Sequence, residues 1–361
     1  MHTIPVHIPA AESYDIVVRP GVLANTGLVL RSRSGSAKAC VVTDSNVGPL
    51  YLDSVLASLK KAEFEPIFAT IPAGEDQKTV ATVTSLYDTI LPARIDRHTP
   101  ILALGGGVVG DMTGFVAATV LRGVPLVQMP TTLLSMVDAS IGGKTGVNHQ
   151  VGKNLIGAFH QPMAVLIDPQ VLKTLPPREL RSGLAECIKH DIIRDADGFA
   201  KLEKNIHRAL SLDVDYLAEL VAHNVMIKAR VVEADPFEKA ERAHLNFGHT
   251  FGHAIESVSN YSYAHGECVA LGMVAASYTA VKLGMIKEDV RRRIVDLIAK
   301  AELPVGKLQL DPDFIVNSMG FDKKVKGGKL RFILPDQLGH VVIRDDVPPD
   351  LVREAVASLK G

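Results

Sequence analysis

Apolar and polar positions alternate in two different rhythms along the chain. Residues 14–19 alternate with period two, as a strand does. Residues 39–43 form a short apolar run that ends at Asp44-Ser45-Asn46-Val47-Gly48, a loop signal. Residues 50–62 carry apolar positions at helical spacing, and residues 66–71 read as a strand. Gly74 to Lys78 is polar, and a helix is predicted from about residue 79 to 91. Residues 100–104 are continuously apolar, as a buried strand is, and residues 112–120 read as a helix. Further strands are predicted at 124–129 and 165–168. Strands alternating with helices imply a mainly parallel sheet covered on both faces. From residue 179 to 300 this rhythm gives way to long helical periodicity with few prolines. A late hairpin is predicted from residues 329–334 and 340–344. The expected fold class is α/β: an N-terminal α/β nucleotide-binding domain, residues 1–180, then a mainly helical domain, residues 181–361.

A length of 361 residues fits two domains. Tryptophan is absent and 47% of residues are hydrophobic, so aliphatic packing must build the cores. The net charge of −1 gives no overall basic excess for nucleic acid. No apolar run approaches the length that spans a bilayer, so no membrane partner is expected. The N-terminus lacks the charged start and apolar stretch of a secretion signal. Cys40, Cys187 and Cys268 are odd in number and widely spaced. They form neither a disulfide framework nor a CxxC pair, which suits a cytoplasmic location, and each reads as a small buried apolar residue.

The densest chemistry lies between Asn246 and Glu267, with three of the chain's 13 histidines and two glutamates in 22 residues. His249 and His253 are four apart and share a helix face. Gly248 and Gly252 precede them, each costing about 1 kcal/mol of helix propensity, which implies close approach of a backbone or ligand. Imidazole is the commonest metal ligand, and this density points to a metal site.

Gly105-Gly106-Gly107-Val108-Val109-Gly110-Asp111 contains GxGxxG between a strand and a helix, a context in which a helix N-terminus holds a pyrophosphate. No acid follows about 20 residues on. The candidate ribose acid, Asp44, instead precedes the loop, so an order other than the ordinary dinucleotide fold is expected. Gly143-Lys144-Thr145 imitates the end of a phosphate-binding P-loop, but Asp138 stands where that loop needs glycine. What remains is a glycine-rich turn with lysine and hydroxyls, followed by Lys153-Asn154. Glu186, Lys189 and His190 share one helix face, which alone fits a solvated i,i+4 arrangement. Glu238, Arg242 and Asn246 are spaced by four and lead into the histidine stretch. Residues 321–329 form a basic loop.

Taken together, these segments closely resemble the 3-dehydroquinate synthase family. The resemblance runs nearly end to end and rests on the glycine loop through Asp111, Pro130-Thr131-Thr132-Leu133-Leu134, residues 137–148, Gly183 to Lys189, Asn246 to Glu256 and His265-Gly266-Glu267. It implies a fold related to the iron and glycerol dehydrogenases, with the active site between an NAD-binding domain and a helical domain, zinc or cobalt as metal, and a homodimer. The implied metal ligands are Glu186, His249 and His265, which leaves His253 near the substrate phosphate. The implied NAD contacts are Asp44, Glu75, Lys78, Gly107, Val108, Val109, Gly110, Asp111, Thr131, Thr132, Lys144, Lys153, Thr174, Leu175 and Glu179. Substrate would meet Lys144, Lys153, Asn154, Arg242, Asn246 and one of Lys323 and Lys324, with Arg122 reaching the partner's site. Catalytic roles would fall to Asp138, Lys189, Lys228, His253 and Glu238, the last in a proton relay.

The family's reaction is a phosphate-eliminating lyase step of the shikimate pathway. It converts 3-deoxy-D-arabino-heptulosonate 7-phosphate to 3-dehydroquinate through transient oxidation by NAD, elimination, re-reduction, ring opening and an intramolecular aldol. Three rival readings are a cyclase making a valiolone or inosose, a metal-dependent polyol dehydrogenase that releases NADH, and a catalytically silent nucleotide-binding regulator. Arg242, Asn246, His253 and the Lys323-Lys324 pair argue for a substrate with both carboxylate and phosphate. The cationic cluster argues against an uncharged polyol, and the complete ligand triad against a silent regulator.

Overall fold

The computed structural model describes residues 13–235, 241–260, 262–320 and 330–360. The chain forms two compact units, Met1–Pro130 with Gly142–Asp168, and Thr131–Ile141 with Pro169–Gly361.

The first unit is built on a six-stranded, wholly parallel sheet of β1 (Asp15–Val18), β2 (Lys38–Asp44), β3 (Glu65–Ile71), β4 (Ile101–Gly105), β5 (Leu126–Pro130) and β8 (Ala164–Ile167). Its order is β1-β8-β5-β4-β2-β3. The central strands are apolar on both faces because helices cover them, chiefly α2 (Gly48–Lys61), against which the short α1 (Thr26–Arg31) packs, α3 (Val80–Ile90) and α4 (Gly107–Thr119). Thr79 caps α3, its hydroxyl accepting from the amide of Thr82 at 3.2 Å. Two readings change. Helix α4 begins at Gly107, five residues before the predicted start, because Gly106 is extended and the glycines and valines behind it take up the helix. The glycine-rich turn holds at Gly142 and Gly143, both at positive φ, but from Lys144 the segment is a hairpin of β6 (Lys144–His149) and β7 (Gly152–Phe159). Gly146 and Gly157 are paired across it, and neither leaves room for a side chain against the opposite backbone.

The strand order explains why the acid precedes the glycine loop. β2 lies between β3 and β4, with Thr43 paired to Leu104. The strand order therefore reverses between β2 and β4, with β3 added on one side of β2 and β4 on the other, and the C-terminal ends of β2 and β4 open at this switch point. Asp44 and Gly105 close these two strands side by side. Ligands of open α/β sheets bind at such points.

The second unit is mainly helical, with α5 (Pro177–Arg194), α6 (Ala196–Leu210), α7 (Val214–Ala234), α8 (His249–Val258), α9 (His265–Lys282), α10 (Glu288–Lys300), α11 (Pro312–Met319) and α12 (Pro349–Ala357). The predicted late hairpin is present as β9 (Phe332–Gln337) and β10 (His340–Arg344). α9 is apolar around its circumference and buried almost throughout, so it forms the core helix of the unit, packed by α5, α8, α10, α12 and β9. All three cysteines are buried and none is in a disulfide, as expected. No described helix is long and apolar enough to cross a membrane.

Candidate active site and metal centre

Glycines set the geometry. A side chain at Gly252 would meet the Cys268 carbonyl at 2.9 Å, and one at Gly248, the left-handed residue before α8, would meet Val269 O at 2.9 Å. The close approach implied by these glycines is therefore that of α9, not of a ligand. Gly266 lies against the backbone of Ser182 on α5. The amide of Gly266 donates to Ser182 Oγ at 3.0 Å. This contact brings His265, the first residue of α9, beside Glu186, one turn beyond Ser182 on α5.

The Nε2 atoms of His249 and His265 lie 3.8 and 3.6 Å from the same oxygen, Glu186 Oε1. The other ring nitrogens face elsewhere: His249 Nδ1 is 3.1 Å from the Phe247 carbonyl, and His265 Nδ1 is 3.8 Å from Glu256. A Nδ1 turned to an acceptor leaves Nε2 as the free lone pair, the usual arrangement of a metal-ligating histidine. One ligand atom from each of Glu186, His249 and His265 lies within 4.8 Å of the other two, a grouping that one ion can draw together. Glu186 is fully buried, with the Lys189 ammonium against Oε2 and the two imidazoles facing Oε1. A buried carboxylate is costly unless cations or donors take its lone pairs, and a metal ion between Oε1 and the two imidazoles would do so.

The electrostatics agree with a cation site. Burial opposes charge on Glu186, but Lys189, His265 and His249 outweigh it and hold its pKa well below the carboxylate range. Burial and the Lys189 ammonium keep His249 well below normal, hence neutral. Burial also disfavours charge on His265, yet the carboxylates of Glu186 and Glu256 raise it to about 9. In the metal-free chain a proton on His265 thus supplies positive charge between two carboxylates. His253 sits on the same face of α8 as His249, with ring centroids 5.2 Å apart.

The face carrying Glu186, Lys189 and His190 is fully buried, which corrects the solvated i,i+4 reading. On the adjoining α7, Lys228 is buried and its ammonium pairs with Asp138, in a short helical turn at Ser135–Ala139. Burial opposes ionisation of Asp138, but Lys228 prevails and its pKa falls below the usual range. Arg242 is buried, its amide donating to Asp235 at 3.2 Å. Asn246 is half-buried just before α8. Thr131, Thr132, Thr174, Leu175 and Glu179 also belong to this unit. Glu238, Lys323 and Lys324 lie outside the described residues.

In the first unit, Asp44 ends β2 and accepts from the amides of Asn46 and Val47 at 2.8 and 2.9 Å. Gly107, Val108, Val109, Gly110 and Asp111 form the start of α4, whose early amides suit an anion. Lys78 is buried and donates to Asp111 at 2.6 Å and to the Asn154 side chain at 2.5 Å. Asn148 donates to Glu75 at 2.8 Å and accepts from the amide of Asn154 at 2.9 Å. One network therefore joins Glu75, Lys78, Asp111 and Asn154. Lys144 and Lys153 stand on the hairpin, and Arg122 is exposed with φ +68°.

Sequence reasoning passed over Glu256, seven residues after His249 and so on the same helix face. It also passed over Asn224, which carries no signal in the sequence and is visible only through its contact with His190.

Residues 68–182 match the family model described as 3-dehydroquinate synthase N-terminal, and residues 183–325 the one described as 3-dehydroquinate synthase C-terminal. A 3-dehydroquinate synthase of Microcystis aeruginosa is 50% identical over 357 residues, covering 98% of this chain and 97% of that protein. Among solved structures, 2-epi-5-epi-valiolone synthase from Streptomyces hygroscopicus subsp. jinggangensis, with NAD+ and Zn2+ bound, superposes with a TM-score of 0.90. It is 32% identical and covers 98% of this chain and 99% of its own. A 2-deoxy-scyllo-inosose synthase complexed with carbaglucose-6-phosphate, NAD+ and Co2+ gives 0.87 at 26% identity, covering 95% and 96%. On two matching family models and near full-length identity of one half, the chain belongs to the 3-dehydroquinate synthase family.

Proposed function

We propose that this chain is a 3-dehydroquinate synthase, taking 3-deoxy-D-arabino-heptulosonate 7-phosphate to 3-dehydroquinate and phosphate. The observation that carries the reading is the convergence of His249 and His265 on one oxygen of the buried Glu186 carboxylate. It is joined by the 50% identity to a curated 3-dehydroquinate synthase, against 32% to the valiolone cyclase.

Glu186, His249 and His265 would hold the divalent metal, zinc or cobalt. Bound there, it supplies Lewis acidity to hydroxyl and carbonyl oxygens of the substrate. NAD, which accepts a hydride and returns it, would sit at the switch point between β2 and β4, on Asp44, the start of α4 and the Glu75–Lys78–Asp111 network. Thr131, Thr132, Thr174, Leu175 and Glu179 complete its proposed contacts.

The chain's own residues bind and orient. The Lys228 ammonium keeps Asp138 ionised, so the pair offers a donor and an acceptor to a substrate hydroxyl. Lys189 would hold a neighbouring oxygen. Arg242, Asn246 and His253, with Lys144, Lys153, Asn154 and one of Lys323 and Lys324, supply the cations and donors that a substrate carboxylate and phosphate require. Glu238 is the proposed proton-relay carboxylate. Orientation of this kind supplies much of the rate when cofactor and metal carry the bond changes. A homodimer in which Arg122 reaches the partner's site, and a cytoplasmic location, belong to the same proposal.

The test is substrate choice. With NAD and zinc or cobalt, purified protein should release phosphate from the heptulosonate phosphate at least 100-fold faster than from a hexose 6-phosphate lacking a carboxylate. A preference for the hexose phosphate would transfer the chain to the inosose type.

A further inference from the structure

His190 and Asn224 are fully buried beside the proposed site and have no part in the chemistry described so far. His190 lies one turn beyond Glu186 on α5, and Asn224 one turn before Lys228 on α7. Their side chains meet at 3.1 Å, His190 Nδ1 to Asn224 Oδ1. The amide orientation of Asn224 is fixed by its other contact, in which Nδ2 donates to the Leu220 carbonyl at 2.8 Å. A reversed amide would place carbonyl against carbonyl. Asn224 therefore presents an acceptor to His190, and Nδ1 must carry the hydrogen.

A neutral imidazole has one N–H, so Nε2 is left as a bare acceptor. That nitrogen is buried and receives no hydrogen bond. His190 stays neutral, because burial and the Lys189 ammonium bring its pKa down to about 4. Its surroundings make the tautomer consequential. One ligand atom from each of Asp138, Glu186 and His190 lies within 4.8 Å of the other two. The lysines already lie against these carboxylates, Lys228 on Asp138 and Lys189 on Glu186, so a second metal ion there would face two ammonium groups. With a hydrogen on Nε2, however, His190 would become a donor beside the two carboxylates, which a modest side-chain shift would bring into hydrogen-bond range. It would compete with Lys228 for Asp138 and with the metal for Glu186.

We propose that Asn224 is a positioning residue that locks His190 in the Nδ1–H tautomer, keeping Asp138 and Glu186 available to the lysines and the metal. The proposal rests on the reading of Glu186, His249 and His265 as the metal site. The lock costs an unmet acceptor in the protein interior and gains an imidazole that fills the space without capturing a carboxylate. Asn224 thus acts on the reaction centre without touching substrate, cofactor or metal.

The first test reads the tautomer directly, by 15N NMR of histidine-labelled, metal-free protein, with His190→Phe used to assign the signal. The expected wild-type spectrum has Nδ1 protonated and Nε2 bare. In Asn224→Leu, a fraction of His190 should move its proton to Nε2. Metal affinity, measured by chelator competition, should fall about 10–100-fold in that variant, the usual effect of losing an outer-shell partner. A double-mutant cycle separates the lock from simple packing. In the His190→Phe background no donor can be misdirected, so adding Asn224→Leu should change metal affinity less than twofold. An equal loss in both backgrounds would overturn the lock, as would a wild-type proton on Nε2. If Asn224→Leu fails to fold, the assigned wild-type spectrum decides; if His190→Phe fails to fold, His190→Gln takes its place in the assignment and in the cycle. A wild-type chain that binds no metal overturns the functional reading and the lock with it; one that binds metal with the proton on Nε2 overturns the lock alone.

Discussion

Replacing Gly266 by alanine perturbs the metal centre without touching a ligand. The new methyl carbon would lie 2.2 Å from the Ser182 carbonyl oxygen and 2.4 Å from its Cα, where ordinary contact begins at 3.4 Å. Both atoms are backbone of α5, so no side-chain rotation relieves the clash. The start of α9 and α5 must separate by about 1 Å, and His265 and Glu186 move apart with them. Metal–ligand distances tolerate only about 0.2 Å. Gly266→Ala should therefore weaken metal binding at least tenfold, and overpacking should lower stability by about 2 kcal/mol. Gly35→Ala is the control, since nothing lies within 4 Å of a side chain there. Chelator competition and denaturant unfolding of the metal-free proteins measure the two effects. Wild-type affinity and stability in Gly266→Ala would refute the argument that this contact positions His265.

Three further outcomes are expected. His249→Ala should lose its metal on dialysis, whereas His253→Ala should keep it and turn over about 10–100-fold more slowly; elemental analysis showing the reverse would move the site. The His265 pKa of about 9 lies above its unfolded value of about 6.5, so the stabilisation it gives the metal-free chain is complete below pH 6.5 and lost as pH rises through 9. Metal binding at pH 7.5 should accordingly release a proton, and calorimetry in buffers of different ionisation enthalpy that finds no release would contradict this. Lys78→Met removes the ammonium shared by Asp111 and Asn154 and should weaken NAD binding by about 2 kcal/mol with metal content unchanged, whereas unaltered NAD affinity in a binding titration would exclude the network from the nucleotide site.

The periodic parts of the fold were legible because local pattern and tertiary role coincide. The run at 100–104 is apolar on both sides since helices cover both faces of the sheet, and β4 appears where it was expected. The start of α4 was missed because glycine propensity argues against helix, and the sheet and Gln128 override it. The hairpin at 144–159 was hidden because, beyond the turn at Gly142 and Gly143, Gly146 and Gly157 serve cross-strand packing. In the site, the density of histidines around 249–265 was visible in the residues themselves, whereas Glu186 was named only through the family resemblance, since spacing gives no reason to choose it over a nearer carboxylate. That choice depends on the Gly266–Ser182 contact between elements more than 80 residues apart. His190 looked like part of a solvated face, and only the packing of α7 on α5 reveals its burial and its partner Asn224.

The most direct measurement of the central claim is the stoichiometry of one reaction containing the protein, metal, a trace of NAD and the heptulosonate phosphate. Phosphate and 3-dehydroquinate should appear in equal amounts, with no net NADH, and both should stop when the metal is stripped and resume when zinc or cobalt is restored. NADH accumulating with turnover, or full product formation by protein shown to be metal-free, would contradict it.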